Sequence, residues 1–98
     1  MEVSDALPGS DLIRQGLRDL AVGTESIESL LVLIGAPRLR RLGFDVPHDD
    51  SPAFPEDRLY AKLAEEDSDT AHERYNAWIR KLVTFESAAE RLASAALQ

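Results

Sequence analysis

Residues 70–96 read TAHERYNAWIRKLVTFESAAERLASAA, an uninterrupted stretch without Gly or Pro. Thr70 and Glu73 match the T-x-x-E capping box that begins many helices. Apolar residues then recur alternately every four and every three positions, which is the heptad spacing of a helix packed along its length. This seam comprises Ala71, Tyr75, Trp78, Leu82, Phe85, Ala89, Leu92 and Ala96. The pattern predicts one helix of roughly 40 Å, at about 1.5 Å per residue.

Three shorter main helices are predicted upstream, each with apolar residues at helical spacing. Ser10 is expected to cap the first, which stops at Gly23. Thr24 is expected to cap the second, whose apolar second half indicates burial on most sides. Pro55 suits the first turn of the third. Gly16 lies on the apolar stripe of the first helix, where a close helix crossing is the favoured explanation and a ligand approach the alternative.

A short connecting helix and a loop are predicted between the second and third main helices. Pro37 suits the first position of a helix that ends at Leu42. Residues 44–54 contain two prolines and several aspartates, which is typical of a loop. We expect Phe44, Val46 and Phe54 to hold this loop against the core.

These elements together predict an all-α fold. The fold class is a small four-helix bundle-like domain with a short connecting helix and a long C-terminal helix. A length of 98 residues suits one domain, residues 1–98. Residues 1–9, ending in Pro8-Gly9, are expected to form a flexible N-terminal arm.

Composition excludes several classes of function. The chain has 11 Lys and Arg against 18 Asp and Glu, and its net charge of −7 makes nucleic acid an unexpected partner. The absence of Cys excludes disulfides and thiolate metal sites. No apolar run approaches the roughly 20 residues that cross a bilayer, and the acidic N-terminus does not resemble a secretory signal. We expect a cytoplasmic protein without a membrane partner.

The long C-terminal helix exceeds what the shorter helices can cover. Helices of about 10 to 14 residues span only about 15 to 21 Å. The seam can be the core stripe of the bundle, but its far portion then needs another cover. A C2 homodimer would supply a second helix, and the small side chains there allow a close approach. Alternatives are a helix of another protein in the groove, or a tail that frays past Leu92. The interface candidates are Tyr75, Trp78, Leu82, Phe85, Ala89 and Leu92.

Two acidic pairs raise the alternative of metal chemistry. Glu25 with Glu28, and Glu66 with Asp69, are each spaced i, i+3, and two carboxylates at that spacing in a helix share one face. Glu66 and Asp69 lie across a predicted helix break. This pairing resembles the acidic motifs of all-α nucleotide pyrophosphohydrolases. The resemblance implies Mg²⁺ binding by these carboxylates and hydrolysis of a nucleotide.

The basic cluster in GAPRLRRLG, residues 35–43, offers a different site. Its arginines complement the C-terminal end of a short helix, and nearby acids can pair with them. Arg38 and Arg41 share a face and are the anion-binding candidates, with weak phosphate or RNA binding as the implied activity. The loop residues Asp45, His48, Asp49 and Asp50 are interpreted as a solvated turn rather than a metal site.

These patterns favour a non-enzymatic helical protein–protein interaction and assembly module. No cofactor and no metal is expected, and no catalytic residue is identifiable. An acidic regulator of a basic partner is one form that such a module could take. The alternatives are the small Mg²⁺-dependent nucleotide hydrolase and anion binding at Arg38 and Arg41.

Overall fold

The computed structural model describes residues 5–96 and shows, within them, five helices and no strand. The helices are α1 (Ser10–Ala21), α2 (Ile27–Ile34), α3 (Ala36–Arg41), α4 (Pro55–Glu66) and α5 (Ala71–Ala96). The predicted all-α class is confirmed, with α3 as the short connecting helix and α5 as the long C-terminal helix.

The apolar helix α2 lies at the centre of the bundle and packs against all four other helices. Leu30, Leu31 and Val32 are fully buried, as expected for a helix that is apolar all round. Ser26 begins α2: its hydroxyl oxygen accepts from the Ser29 N–H at 3.0 Å, and the Ser29 hydroxyl oxygen accepts from the Ser26 N–H at 2.8 Å. The predicted Thr24 cap is therefore wrong by two residues.

α1 crosses α2 closely at Gly16, as predicted. A Cβ atom added to Gly16 would lie 2.5 Å from the carbonyl oxygen of Glu28 and 2.5 Å from a methyl carbon of Val32. Atoms at that distance overlap, so only glycine permits this crossing. The favoured interpretation of Gly16 is confirmed.

The N-terminal segment departs from the prediction. Of the predicted flexible arm, residues 1–4 lie outside the described residues, while residues 5–9 form turns and Leu7 packs half-buried against the core. Gly9, with φ of 82°, is the N-cap of α1, so the predicted Ser10 cap is wrong. Ser10 is instead the first helical residue, and its N–H donates to the carbonyl oxygen of Leu7 at 3.2 Å.

The loop at residues 44–54 is held to the core by two of its three predicted anchors. Phe44 and Val46 are buried, and the Phe44 ring lies 5.8 Å from the ring of Phe85 on α5. Phe54, by contrast, is 70% exposed; it is the N-cap residue of α4. The prediction that Phe54 pins the loop is wrong.

The helices were compared with what a membrane span requires. In the part of the chain that the structure describes, no helix combines the length and the apolar character that crossing a bilayer requires.

Candidate functional site

Helix α5 is covered by the bundle over most of its length but not at its end. Phe85 and Ala89 are 0% exposed, whereas Leu92, the next residue on the same seam, is 46% exposed. Residues 91–96, here called the uncovered end, are all exposed except the half-buried Ala93. α5 nevertheless stays helical to Ala96, so the predicted alternative of a tail frayed past Leu92 is not what the structure has.

The six interface candidates separate into core and surface residues. Leu82, Phe85 and Ala89 are buried within the chain itself, which leaves them no surface for a partner and removes them from the interface set. Tyr75 is half-buried, and its ring lies 5.8 Å from that of Tyr60 on α4. Of the six candidates only Leu92 is exposed, at 46%.

A groove runs between α1 and α5 and has a volume of about 960 Å³. The apolar part of this α1–α5 groove includes Leu12 and the half-buried Trp78. Its basic lining residues are Arg14, Arg18, Arg80 and Lys81. The Lys81 ammonium lies 4.6 Å from the centroid of the Trp78 ring, within the range of a cation–π contact.

Sequence reasoning did not find the α1–α5 groove as a basic site. Arg14 and Arg18 are four residues apart on α1, and Arg80 and Lys81 are consecutive on α5, so each pair has an ordinary surface pattern. Only the packing of α1 against α5 brings the pairs together. The available signal was that α1 and α5 carry six of the 11 basic residues of an acidic chain, four of which line the groove.

Arg38, one of the two anion-binding candidates, is already engaged by α5. Its Nε donates to Glu90 Oε2 at 3.0 Å, and its Nη1 donates to Glu86 Oε1 at 3.3 Å. The bond to Glu90 raises the pKa of Arg38, and the same bond lowers the pKa of Glu90. An external anion at Arg38 would have to displace these carboxylates, and anion binding there stays a prediction.

The other two arginines of the cluster face different surroundings. Arg40 donates from Nε and Nη2 to the carbonyl oxygen of Val46, at 3.1 and 2.9 Å, and so holds the loop that follows α3. Arg41 is exposed and, among the described residues, forms no ion pair. Of the two residues on the predicted shared face, Arg38 is paired with Glu86 and Glu90, whereas Arg41 forms no ion pair among the described residues.

The acidic pairs proposed for Mg²⁺ make ion pairs with arginines. Glu25 binds Arg58, which also donates to Asp49 at 2.7 Å, and Glu66 accepts from Arg74 at 2.7 Å. Glu25 precedes α2, so it does not share a helix face with Glu28 as predicted. Within residues 5–96, no three His, Asp or Glu side chains form a group that could hold a metal ion.

Comparison with known proteins adds no relative. The chain matches no family model, no curated protein and no solved structure.

Proposed function

We propose that this chain is a non-enzymatic helical interaction module that assembles into a homodimer through the uncovered end of α5. One observation carries the proposal: the apolar seam of α5 continues past its cover, so that Leu92 is 46% exposed while Phe85 and Ala89 on the same seam are 0% exposed. Full burial of an exposed leucine side chain contributes about 2 kcal/mol; Leu92 has only about half of its surface left to bury, so a symmetric pair gains about 2 kcal/mol in all.

The composition of the uncovered end supports contact between two copies. Residues 91–96 contain three alanines and one serine beside Arg91 and Leu92, so a second helix can approach closely. They contain no acidic residue, although the chain carries a net charge of −7. Repulsion between two copies is therefore weaker here than at the acid-rich parts of the surface.

The small size of this surface predicts a weak and reversible dimer. Six helical residues extend over only about 9 Å, and small interfaces are typical of transient association. Sedimentation velocity over a concentration series measures such an equilibrium, starting from a monomer mass of 10.8 kDa. We expect the average mass to rise towards twice this value as the concentration increases.

Two matched substitutions test the surface itself. Leu92→Asp places a charge in the proposed interface and should keep the protein monomeric at all concentrations. Val83→Asp is the control, because Val83 is on the same helix and is 43% exposed but lies off the seam. It should associate as the unmodified chain does, and circular dichroism should show equal helix content in both variants. A wild-type chain that stays monomeric with α5 fully helical contradicts the proposal.

The hydrolase alternative has less support. The carboxylates of Glu25 and Glu66, which it needs as Mg²⁺ ligands, are paired with Arg58 and Arg74. No observation within residues 5–96 specifically favours this function over an interaction module.

A further inference from the structure

The α1–α5 groove has a charge opposite to that of the chain. Among residues 5–96, four basic side chains line it, Arg14, Arg18, Arg80 and Lys81, and Asp11 is the one acidic residue in the lining. The whole chain, by contrast, carries a net charge of −7. The groove is therefore a local basic surface on an acidic protein, and such a surface attracts negatively charged groups.

Three of these basic side chains form no ion pair among the described residues, although one of them, Arg18, donates to Gln15 Oε1 at 2.9 Å and its charge acts on Asp19. Arg14 is paired with Asp5 and Asp11, which occupy its guanidinium. Arg18, Arg80 and Lys81 form no ion pair with any of residues 5–96. Elsewhere, Arg38, Arg58 and Arg74 each hold at least one carboxylate of the chain itself. The groove thus keeps cations available for an external acid.

The groove also offers apolar contact between these cations. Pro8, Leu12, Ala77 and Trp78 contribute to its lining. Trp78 is only half-buried, and Lys81 lies over its ring, so the apolar and cationic features are adjacent. Trp and Arg are enriched among the few residues that carry most of the binding energy of protein interfaces.

We propose that the α1–α5 groove binds an acidic amphipathic segment of another protein. An apolar side chain of that segment packs against Trp78, and its carboxylates pair with Arg18, Arg80 and Lys81. The open channel between two helices suits a helix that lies in a groove, with apolar anchors one turn apart. This inference rests on the proposed function as an interaction module and names the chemistry of its partner.

The charge distribution favours a protein segment over nucleic acid. A polyanion long enough to contact these cations would also approach a chain of net charge −7, which repels its remaining phosphates. Asp11 lines the groove, and both Asp11 and Asp5 pair with Arg14, which leaves that cation less available to a phosphate. A short peptide segment places its few carboxylates only where the unpaired cations lie.

Selection from a peptide library tests the chemistry of the partner without assuming a sequence. The probe is a phage-displayed library of random peptides of about 16 residues, enough for roughly 24 Å of helix. The immobilised full chain should enrich peptides of net negative charge that also carry large apolar residues. Enrichment of neutral or basic peptides, or no enrichment over an empty support, overturns the proposal.

Binding of an enriched peptide is then measured in solution. Trp78 is the only tryptophan of the chain, so its fluorescence reports directly on the groove. Reversing the charge of Arg80 and Lys81 together to Glu should weaken binding at least about tenfold, because like charges then face each other. The Lys62→Glu variant is the control, since Lys62 is a half-buried cation on α4, outside both the groove and the uncovered end. It should bind within about twofold of the unmodified chain.

A charge exchange identifies a direct contact. A version of the peptide with Lys in place of its acids should bind the Arg80→Glu, Lys81→Glu variant better than it binds the unmodified chain. Equal binding of the original peptide to both proteins overturns the proposal. The proposal is also overturned if oligouridylate displaces the peptide at a concentration equal to that of the peptide, because nucleic acid would then be the ligand.

The same variants separate this inference from the proposed dimer. Leu92→Asp should bind the peptide normally, because Leu92 lies outside the groove. If the acidic peptides do not bind while the wild-type chain dimerises, only the groove proposal is rejected. If the charge-reversed variant loses its dimer in sedimentation, a second copy occupies the groove and a separate partner is rejected.

Discussion

Gly16 shows how one missing side chain fixes the spacing of two helices. A Cβ atom on Gly16 would overlap the carbonyl oxygen of Glu28, which belongs to the backbone of α2 and has little freedom to move. Helix propensity alone would make Gly16→Ala stabilising by about 1 kcal/mol. We expect the opposite, a loss of about 1 to 3 kcal/mol, because overpacking at the crossing outweighs propensity. Urea unfolding measures the change, and a variant as stable as the wild type would contradict the close crossing.

Glu86 is a carboxylate that is as little exposed as the apolar residues of the core. It is 4% exposed, and of its two oxygens only Oε1 has a hydrogen-bond donor within residues 5–96, Arg38. The other oxygen lies against Gly35, where a Cβ would approach it to 2.8 Å. Burial raises the pKa of Glu86, and the charge of Arg38 only partly opposes this effect.

The raised pKa predicts how stability changes with pH. Between the unfolded pKa of Glu86, about 4.3, and its higher folded pKa, the folded state binds more protons than the unfolded state. Stability from this group therefore increases as the pH falls through that window. Compared with Glu86→Gln, which cannot titrate, the wild type should gain stability between neutral pH and about pH 4.5.

Comparing the two proteins isolates Glu86, because Glu90 and its lowered pKa are present in both. Urea unfolding at several pH values measures the difference. The burial of this charge would be contradicted if the difference in unfolding free energy between the two proteins were constant with pH, or if the wild type lost stability relative to Glu86→Gln as the pH fell.

Among the elements, α2 depends on a cap that differs from the predicted one. Ser26→Ala removes the acceptor for the Ser29 N–H and the hydroxyl that donates to Asp19 at 2.6 Å. We expect a loss of about 1 to 2 kcal/mol in the free energy of unfolding. Thr24→Ala is the matched control, and because Thr24 is exposed and outside the cap it should change stability little. A larger loss from Thr24→Ala would contradict the assigned helix start.

The helices were predictable because their signals are local. The apolar spacing of α5, the Pro at the start of α4 and the apolar run of α2 each act within one helix, and periodicity detects them. The wrong prediction of Thr24 as the cap has a cause outside α2. Thr24 and Ser26 are both good caps, and the choice depends on Asp19 of α1, which binds the Ser26 hydroxyl.

The sites were less predictable because they depend on how the helices pack. The partners of Arg38 are Glu86 and Glu90, about fifty positions away in the sequence, whereas sequence reasoning expected acids of the adjacent loop. The α1–α5 groove likewise joins two helices at opposite ends of the chain. The seam of α5 showed that Leu92 is apolar, but only the structure shows that the cover ends before it.

At the scale of the whole molecule, α5 is the element that both binds the bundle and offers surfaces. Its buried residues Leu82, Phe85 and Ala89 complete the core. Its two remaining surfaces are separate: the uncovered end carries small side chains and Leu92 and has no acid, and the α1–α5 groove is basic. This separation allows self-association and partner binding to be changed independently by substitution.

The central claim, that two copies meet at the uncovered end of α5, is tested most directly by a distance between spin labels. The chain has no Cys, so Ser87→Cys, on α5 but off the seam and outside the uncovered end, carries one label per chain without filling the proposed interface. Any dipolar coupling then arises between copies. The account predicts one distance of about 20 to 30 Å, since packed helices lie about 8 to 10 Å apart and each label adds its linker. This signal should vanish with Leu92→Asp and persist with Val83→Asp. No coupling in the wild-type background, or coupling unchanged by Leu92→Asp, would contradict the account.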